Sequence, residues 1–461
     1  MKRSFVLLFS VFFLGFSGMA QTLSGTFPSL ANQTITLEGA KGLDTYSIGS
    51  TKADDKGRFT LSYAGQDYGV AFLSGEDNKP FVVILEKEGV KLEGQALSEA
   101  TTIRILEGKE NRWFEQYTQE QGKREQALSA WGYLQNLYQN DPLFAIQQVP
   151  NQAIGGEVMR LQQEDGKFIA TLPTDSFVRW FLPIRKLISS VGAVAQYRTA
   201  ELPQTIAAFR GMDYSDPRLA KSGLFRDVFE SQFWLLENSG GSLEENYQKM
   251  EVSLDAILKC LEKDALQYNV VVGYLVELLE RRSLTQAAEY LALKVLEQDK
   301  VALQPRLARQ LEGYRAMKVG AQVPEIQFAG DILLQGKPIT YPTRLSEVTA
   351  PYRLVIVGAS WCPACTEEMT QLIPLYEKWN KLGLEAIFVS LDTDPKAFQA
   401  YSEGMPFIAF SDYKKWDTHV VQDYYVSSSP SFYLIDQSGK LVLRPQSVKQ
   451  LDAWVDWKLG K

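Results

Sequence analysis

The sequence predicts a multidomain protein with an N-terminal antiparallel β domain, an α-helical middle region and a C-terminal α/β domain. Short runs that alternate apolar and polar residues occupy residues 21–99, and a helical period replaces them over residues 100–319. Over residues 320–461, apolar strands alternate with helical segments, which is typical of an α/β sheet. Each part is long enough to bury its own core.

Composition and charge exclude several classes of protein. The chain has 461 residues, of which 45% are hydrophobic and 22% charged, so it has an ordinary globular composition. Its net charge of −7 offers no positive field for nucleic acid, and we expect no nucleic-acid partner. One histidine, His419, and 3 cysteines are too few for most zinc sites. We therefore expect no metal and no other cofactor.

Residues 1–20 have the pattern of a cleavable signal peptide. Lys2 and Arg3 precede an apolar run from Phe5 to Phe16, and small residues lead to Ala20. The run is too short for a bilayer, which needs about 20 apolar residues. We expect cleavage after Ala20, export to the periplasm and no stable membrane insertion of the mature protein.

The β domain is predicted from alternating runs separated by Gly, Asp and Asn clusters. Three such runs are Gln33–Leu37, Arg58–Tyr63 and Phe81–Leu85. Alternation places one face of each strand in a core and the other in solvent. We therefore expect a small antiparallel domain over residues 21–99.

The middle region, residues 100–319, is predicted to be helical because its apolar residues share helix faces. Leu254, Ile257 and Leu258 form one such face, and Cys260 lies among them, so we expect a buried cysteine. Residues 266–282 and 284–298 have the pattern of a helix pair. No second copy at a fixed period supports a solenoid.

The C-terminal domain is predicted from alternating strands and helices. The predicted strands are residues 353–357, 384–391, 407–410, 431–435 and 440–443, and the predicted helices are residues 363–382, 395–402, 416–424 and 448–458. Such strands are expected to be covered by helices on both faces. His419 has no Asp, Ser or Cys partner identifiable by spacing, so we expect a surface or supporting histidine.

Cys362-Pro363-Ala364-Cys365 carries the chemistry, because it lies where a strand ends and a helix begins. Cysteines at i and i+3 share one helix face, so their sulfurs can reach bonding distance. The helix N-terminus stabilises a thiolate, which makes Cys362 the nucleophile and Cys365 the resolving thiol. A half zinc site and a static structural disulfide are the alternatives. No second cysteine pair supports zinc, and a static disulfide rarely lies at such a junction.

Residues 320–461 resemble the thioredoxin superfamily, and more closely the exported thiol:disulfide oxidoreductases of the TlpA/ResA type. The resemblance rests on segments 360–365, 368–369, 389–392, 429–436 and 439–440, which read SWCPAC, EM, VSLD, SPSFYLID and GK. It implies a thioredoxin-like fold for the C-terminal domain. The upstream half resembles the β domain and helical spacer often fused to such enzymes in Bacteroidetes-type bacteria.

The resemblance also implies which residues bind substrate. It implies a cis peptide before Pro430, facing the cysteines, with Ser429 offering backbone hydrogen bonds to an extended substrate segment. We assign Trp361 and Pro363 to the same substrate-binding surface. Cys362 and Cys365 would form the redox-active disulfide.

The sequence departs from the family pattern at two helix and strand positions. Thioredoxins have an acidic residue where this chain has Ile356, and many relatives have a proline where it has Thr370, with Pro374 following later. The proton acceptor must therefore lie elsewhere. Glu368, one turn after Cys365, matches the glutamate that TlpA/ResA-type proteins place beside their thiols, and we assign it to proton exchange with Cys365.

We expect a thiol:disulfide oxidoreductase that acts on protein disulfides, as a reductase supplied by an upstream membrane or periplasmic dithiol reductant. A disulfide oxidase or isomerase is the nearest alternative, and only the reduction potential separates them. A non-catalytic binding protein on the same scaffold is another. A thiol peroxidase is disfavoured because the Pro-x-x-x-Thr-x-x-Cys pocket is missing before Cys362.

Overall fold

The structure, a computed structural model, describes residues 21–76, 79–298 and 300–460. The chain divides into two compact units, residues 1–249 and 250–461. The predicted signal peptide, residues 1–20, lies outside the described residues. Within the described part of the chain, no helix is long and apolar enough to cross a bilayer.

The first unit begins with two four-stranded sheets. Their strands are β1 (Gln21–Thr26), β2 (Thr34–Lys41), β3 (Asp44–Lys52), β4 (Arg58–Tyr63), β5 (Gly69–Ser74), β6 (Phe81–Leu85), β7 (Val90–Glu93) and β8 (Arg104–Glu107). One sheet has the order β4-β1-β7-β8 and the other β3-β2-β5-β6. Strand β8 lies within the segment that the sequence assigns to the helical region.

The two sheets share one core because their strands alternate as predicted. In β2, Ile35 and Leu37 are fully buried while the residues between and beside them are exposed. Leu23 of β1 and Leu61 of β4 belong to the same core. The strands pair antiparallel except β1 and β7, which run parallel. The predicted β domain is confirmed.

Helices follow the sheets in the first unit. They are α1 (Lys109–Asn140), α2 (Gln148–Thr171), α3 (Phe177–Tyr197), α4 (Leu202–Arg210), α5 (Pro217–Ala220), α6 (Phe225–Glu237) and α7 (Leu243–Leu261), and α7 crosses into the second unit. The outer face of β5 and β6 packs on α1 and α3, where Val70 and Ile84 meet Tyr117 and Phe181. The predicted helical middle region is confirmed.

The second unit continues with the helices α8 (Ala265–Arg281), α9 (Thr285–Gln298) and α10 (Pro305–Ala316). Helices α8 and α9 correspond to the helix pair expected from the sequence. Leu254, Ile257 and Leu258 of α7 are buried as expected, because they share one face. Cys260 is half-buried, whereas we expected a buried side chain, because it lies at the margin of that face.

A seven-stranded sheet forms the centre of the C-terminal domain. Its strands are β9 (Asp331–Leu334), β10 (Lys337–Pro338), β11 (Tyr352–Gly358), β12 (Leu384–Ser390), β13 (Ile408–Ser411), β14 (Ser431–Asp436) and β15 (Leu441–Leu443). The order is β10-β9-β13-β12-β11-β14-β15, with β11, β12 and β13 parallel. The helices are α11 (Pro363–Lys381), α12 (Pro395–Ser402), α13 (His419–Asp423) and α14 (Val448–Lys458).

Strand β11 lies at the centre of this sheet and is buried on both faces. Val355 and Val357 enter one core, and Leu354 and Ile356 enter the other. A strand buried on both faces reads as a continuous apolar run, as it does here. The α/β fold predicted for the C-terminal domain is confirmed.

The helix predicted over residues 416–424 is wrong in its extent. A 3-10 turn covers Lys415–Asp417, and α13 begins only at His419, because Thr418 between them has an extended backbone. His419 is half-buried. By contrast, α11 continues through Pro374 to Lys381.

Candidate active site

Cys362 and Cys365 form a disulfide at the start of α11, with their Cα atoms 5.2 Å apart. Cys362 is the N-cap residue, and the backbone N–H of Cys365 donates to its Sγ at 3.1 Å. Pro363 occupies the first helical position, where its missing N–H costs no hydrogen bond. The sulfur of Cys362 therefore accepts a hydrogen bond from the backbone of α11, and this stabilises negative charge on the sulfur.

Both cysteines are shielded from solvent. Cys362 is 6% exposed and Cys365 is 1% exposed. Cys362 is still the outer of the two, since Cys365 lies one turn deeper against Gly358. A Cβ at Gly358 would lie 3.3 Å from Cys365 Sγ and 3.0 Å from the Phe388 ring, so a side chain there would crowd the inner sulfur.

The loop before β14 faces Cys362. The Ser429–Pro430 peptide is cis, as the resemblance implies. The hydroxyl and carbonyl oxygens of Ser429 each lie 3.6 Å from Cys362 Sγ. In the reduced protein the carbonyl can accept from the thiol, and the hydroxyl can donate to a thiolate. The chain thus brings together Cys362, Cys365, Ser429 and Pro430.

A buried carboxylate holds the loop that precedes the cysteines. Asp392 follows β12 and is 1% exposed. It accepts from the Ser360 hydroxyl at 2.6 Å and from the Ser360 backbone N–H at 3.2 Å. The Ser390 hydroxyl donates to its other oxygen at 2.6 Å. These donors compensate the loss of hydration and fix Ser360 two residues before Cys362.

Tyr401 of α12 lies near this carboxylate. Its phenol oxygen is buried. Burial raises the pKa of Tyr401, and the charge of Asp392 adds to that rise. Its phenol therefore stays protonated at neutral pH.

Trp361 is exposed at the mouth of the site. Its side chain is 49% exposed, and the Lys415 ammonium lies 4.9 Å from its ring centroid. Such a cation–π contact contributes about 0.5–1 kcal/mol at an exposed position. An aromatic ring and a cation therefore border the cysteines on the solvent side.

Glu368 is half-buried, and it makes a structural contact that the sequence does not indicate. One carboxylate oxygen accepts from the backbone N–H of Val448, the first residue of α14, at 2.6 Å. The carboxylate thus caps a second helix. No hydrogen bond to its other oxygen occurs within the described ranges. Ile356 is buried and cannot exchange a proton.

Sequence reasoning did not assign Asp392 or Lys415 to the site. An acidic residue directly after an apolar strand was a usable signal for Asp392, since β11 and β12 are parallel and end at the same edge. No pattern indicated Lys415. Among the described residues, no group of three or more His, Cys, Asp or Glu side chains is placed to hold a metal ion.

Comparison with known proteins identifies the C-terminal part of the chain. A family model described as thioredoxin-like matches residues 351–441. Probable nucleoredoxin 1 of Arabidopsis thaliana is 36% identical over 88 residues, 18% of this chain and 15% of that protein. The thiol-disulfide oxidoreductase ResA of Bacillus cereus is 25% identical over 142 residues, 30% of this chain and 78% of that protein.

The match to the nucleoredoxins covers a small share of their length, 15% for the Arabidopsis protein and 21% for probable nucleoredoxin 3 of rice, Oryza sativa subsp. japonica. Among solved structures, a thioredoxin-like protein from Bacteroides caccae aligns with a TM-score of 0.41 at 13% identity, covering 55% of this chain and 93% of that one. The thioredoxin domain of a Bacteroides vulgatus thiol-disulfide oxidoreductase aligns with a TM-score of 0.27 at 21% identity, covering 31% and 97%. Residues 351–441 form a thioredoxin-like domain, and the C-terminal part of the chain is similar to the ResA-like thiol:disulfide oxidoreductases.

Proposed function

We propose that this protein is a thiol:disulfide oxidoreductase that reduces protein disulfides in the periplasm through Cys362 and Cys365. The observation that carries the proposal is the Cys362–Cys365 disulfide at the start of α11, opposite the Ser429–Pro430 loop. Export is supported by the sequence pattern of residues 1–20.

The reaction uses only groups of this chain and of its substrate. In the reduced protein, the Cys362 thiolate attacks one sulfur of a substrate disulfide, forms a mixed disulfide and releases the other sulfur as a thiolate. Cys365 then loses its proton and attacks Cys362 Sγ, which releases the second substrate thiol and forms the Cys362–Cys365 disulfide. Two electrons pass to the substrate, and an upstream dithiol returns them.

We assign the proton of Cys365 to Glu368, one turn further along α11. Its contact with Val448 leaves one carboxylate oxygen for that exchange. The geometry that supports this assignment is the shared face of α11, since residues at i and i+3 are neighbours.

The direction of electron flow depends on how well the reduced form is stabilised. Reducing members of this superfamily have potentials of about −200 to −270 mV, and a strong oxidant has about −120 mV. The buried Asp392 carboxylate, below the loop that carries the cysteines, opposes a further negative charge on a nearby sulfur. It therefore favours the disulfide, which makes the dithiol a better reductant.

The test is reduction of insulin by the protein supplied with a dithiol. Cys362→Ala should abolish the activity, whereas Cys260→Ala, the same change in α7, should retain it. Cys365→Ser should trap mixed disulfides that a reductant dissolves, because the resolving thiol is missing. Activity of Cys362→Ala near the wild-type rate would overturn the proposal.

A further inference from the structure

A polar cavity lies beside the Ser429–Pro430 loop, and the helices upstream of the thioredoxin-like domain help to form it. Its lining includes Glu280 of α8, Ser428, Pro430, Ser431 and Arg444. The volume is about 50 Å³, enough for a peptide group or a small polar side chain. Ser427 and Ser428 at its mouth are exposed, so the cavity opens to solvent.

Arg444 presents its guanidinium group to this cavity. Its guanidinium carbon lies 5.2 Å from the Tyr314 ring centroid and 5.6 Å from that of Tyr433. A guanidinium over an aromatic face keeps N–H groups at its edge for other acceptors. No salt bridge to Arg444 occurs among the described residues, although the Glu280 carboxylate lines the same cavity.

Glu280 and Tyr314 hold this arrangement from the helical side. The Tyr314 hydroxyl donates to the Glu280 carboxylate. Burial raises the pKa of Tyr314, and the Glu280 charge raises it further, so the phenol remains a donor. The second oxygen of Glu280 accepts no hydrogen bond within the described residues. The cavity therefore contains both a fixed cation and an available acceptor.

We propose that Glu280, Tyr314 and Arg444 form, with the serines of the Ser427–Ser431 loop, a subsite that binds the polypeptide backbone next to the substrate's disulfide. This inference rests on the proposed function. A substrate cysteine bonded to Cys362 lies against Ser429, whose oxygens are 3.6 Å from Cys362 Sγ. The residues that follow it reach the cavity, where Arg444 and serine hydroxyls meet carbonyl oxygens and Glu280 meets an N–H.

The occupant is an extended polypeptide because Ser428 and Pro430, which line the cavity, flank Ser429, whose oxygens face Cys362 Sγ. Both donors and an acceptor line it, as a peptide backbone requires. A small disulfide reagent that ends close to its sulfurs does not extend into the cavity. The helical region thereby contributes to the selection of protein substrates over small disulfides.

The experiment compares two substrates with one enzyme preparation. Rate constants are measured for the reduced protein with insulin and with 2-hydroxyethyl disulfide, and their ratio is taken. Arg444→Gln and Glu280→Gln should each lower that ratio about five- to tenfold, the loss of about one ordinary hydrogen bond. Arg315→Gln, an exposed arginine of α10 paired with Glu312, should leave the ratio at the wild-type value.

The ratio of the two rate constants distinguishes a loss of substrate binding from a loss of folded protein. Partial unfolding of a variant lowers both rates equally and leaves the ratio unchanged. If the ratio is unchanged in both variants, the proposal of a subsite is wrong, whether or not the two rate constants fall together. If the wild-type protein reduces neither substrate, the proposed function itself fails, and that result does not depend on the variants.

Discussion

Asp392 is a buried carboxylate that accepts hydrogen bonds from Ser360, in the loop before the cysteines, and from Ser390 of β12. Replacing it with Asn keeps the shape but puts an N–H₂ group against a hydroxyl donor. We expect Asp392→Asn to lower the free energy of unfolding by about 1–3 kcal/mol. Because a like charge near the sulfurs is removed, the reduction potential should rise by roughly 10–30 mV.

Denaturant titration measures the free energy of unfolding, and equilibration with a glutathione buffer measures the reduction potential. Asp417→Asn is the matched control, since that carboxylate is exposed in a 3-10 turn of the same domain. A potential that falls in Asp392→Asn would contradict the electrostatic argument for a reductase.

Glu368 combines a cap on α14 with the proposed proton exchange, and a conservative change separates the two roles. In Glu368→Gln the amide oxygen can still accept from Val448, so the cap is kept while the titrating group is lost. We expect slower insulin reduction and a shifted pH profile for alkylation of Cys365, with alkylation of Cys362 nearly unchanged.

Glu367→Gln is the control for this experiment, because Glu367 is the exposed neighbour on the same helix. The melting temperature is followed in both variants. Turnover in Glu368→Gln equal to or faster than wild type, between about pH 6 and about pH 9, would leave Glu368 with the cap alone.

At the scale of elements, α10 packs directly on the segment that leads into the Ser429–Pro430 loop. Gly313 of α10 is buried, and a Cβ there would lie 2.8 Å from Tyr425 Cβ. Alanine gains about 1 kcal/mol of helix propensity over glycine. The backbone shift that relieves such a contact costs about 1–3 kcal/mol. We expect Gly313→Ala to destabilise the protein by about 1 kcal/mol and to slow insulin reduction.

Gly273→Ala in α8 is the matched control. The nearest atom to a Cβ there is Leu307 Cδ1 at 3.9 Å, an ordinary contact, so this variant should gain stability from helix propensity alone. Both variants are compared by denaturant unfolding and insulin reduction. A Gly313→Ala protein as stable and active as Gly273→Ala would show that the loop adjusts freely.

The sequence predicts local features of this site and misses those that topology creates. The spacing of Cys362 and Cys365 within one helix turn is readable directly. The contact of Glu368 with Val448 joins α11 to a helix that begins 80 residues later along the chain, and no periodicity reports it. Likewise, the helix predicted over residues 416–424 is interrupted because Thr418 is extended, which its apolar pattern does not indicate.

The same distinction applies to the polar cavity beside the Ser429–Pro430 loop. Glu280, Tyr314 and Arg444 come from three distant segments, two of them outside the region that resembles thioredoxins. Their chemistry becomes visible only when α8, α10 and the loop after β15 are placed in space. The order of sheets and helices, by contrast, follows from apolar periodicity, and for that reason the fold class could be predicted.

At the scale of the whole molecule, Glu86 should make the first unit sensitive to pH, and the disulfide should make the second unit sensitive to the redox state. Burial raises the pKa of Glu86, in the first unit, from 4.5 to about 7. A folded pKa above the unfolded value means that this group's contribution to stability is present below about pH 4.5 and is lost as pH rises through about 7. With allowance for solvent screening, the loss is roughly 1–2 kcal/mol.

Glu86→Gln should therefore remove that part of the decline in unfolding free energy between about pH 5 and about pH 8. Glu107→Gln, an exposed glutamate of β8, should keep the wild-type profile. Hydrogen exchange followed by mass spectrometry assigns each effect to its unit. Reduction of the Cys362–Cys365 disulfide should change exchange in residues 250–460, and a pH-dependent change confined to those residues would contradict the role given to Glu86.

The hydrogen bond from the Cys365 amide to Cys362 Sγ makes that amide a built-in spectroscopic reporter. Its proton points at the sulfur that changes charge, so its chemical shift should move as the thiol ionises. We expect the sulfur to remain the acceptor when it is a thiolate or a mixed disulfide, as it is in the Cys362–Cys365 disulfide. One backbone resonance therefore follows the whole catalytic cycle without a label, an alkylating reagent or a change in the sequence.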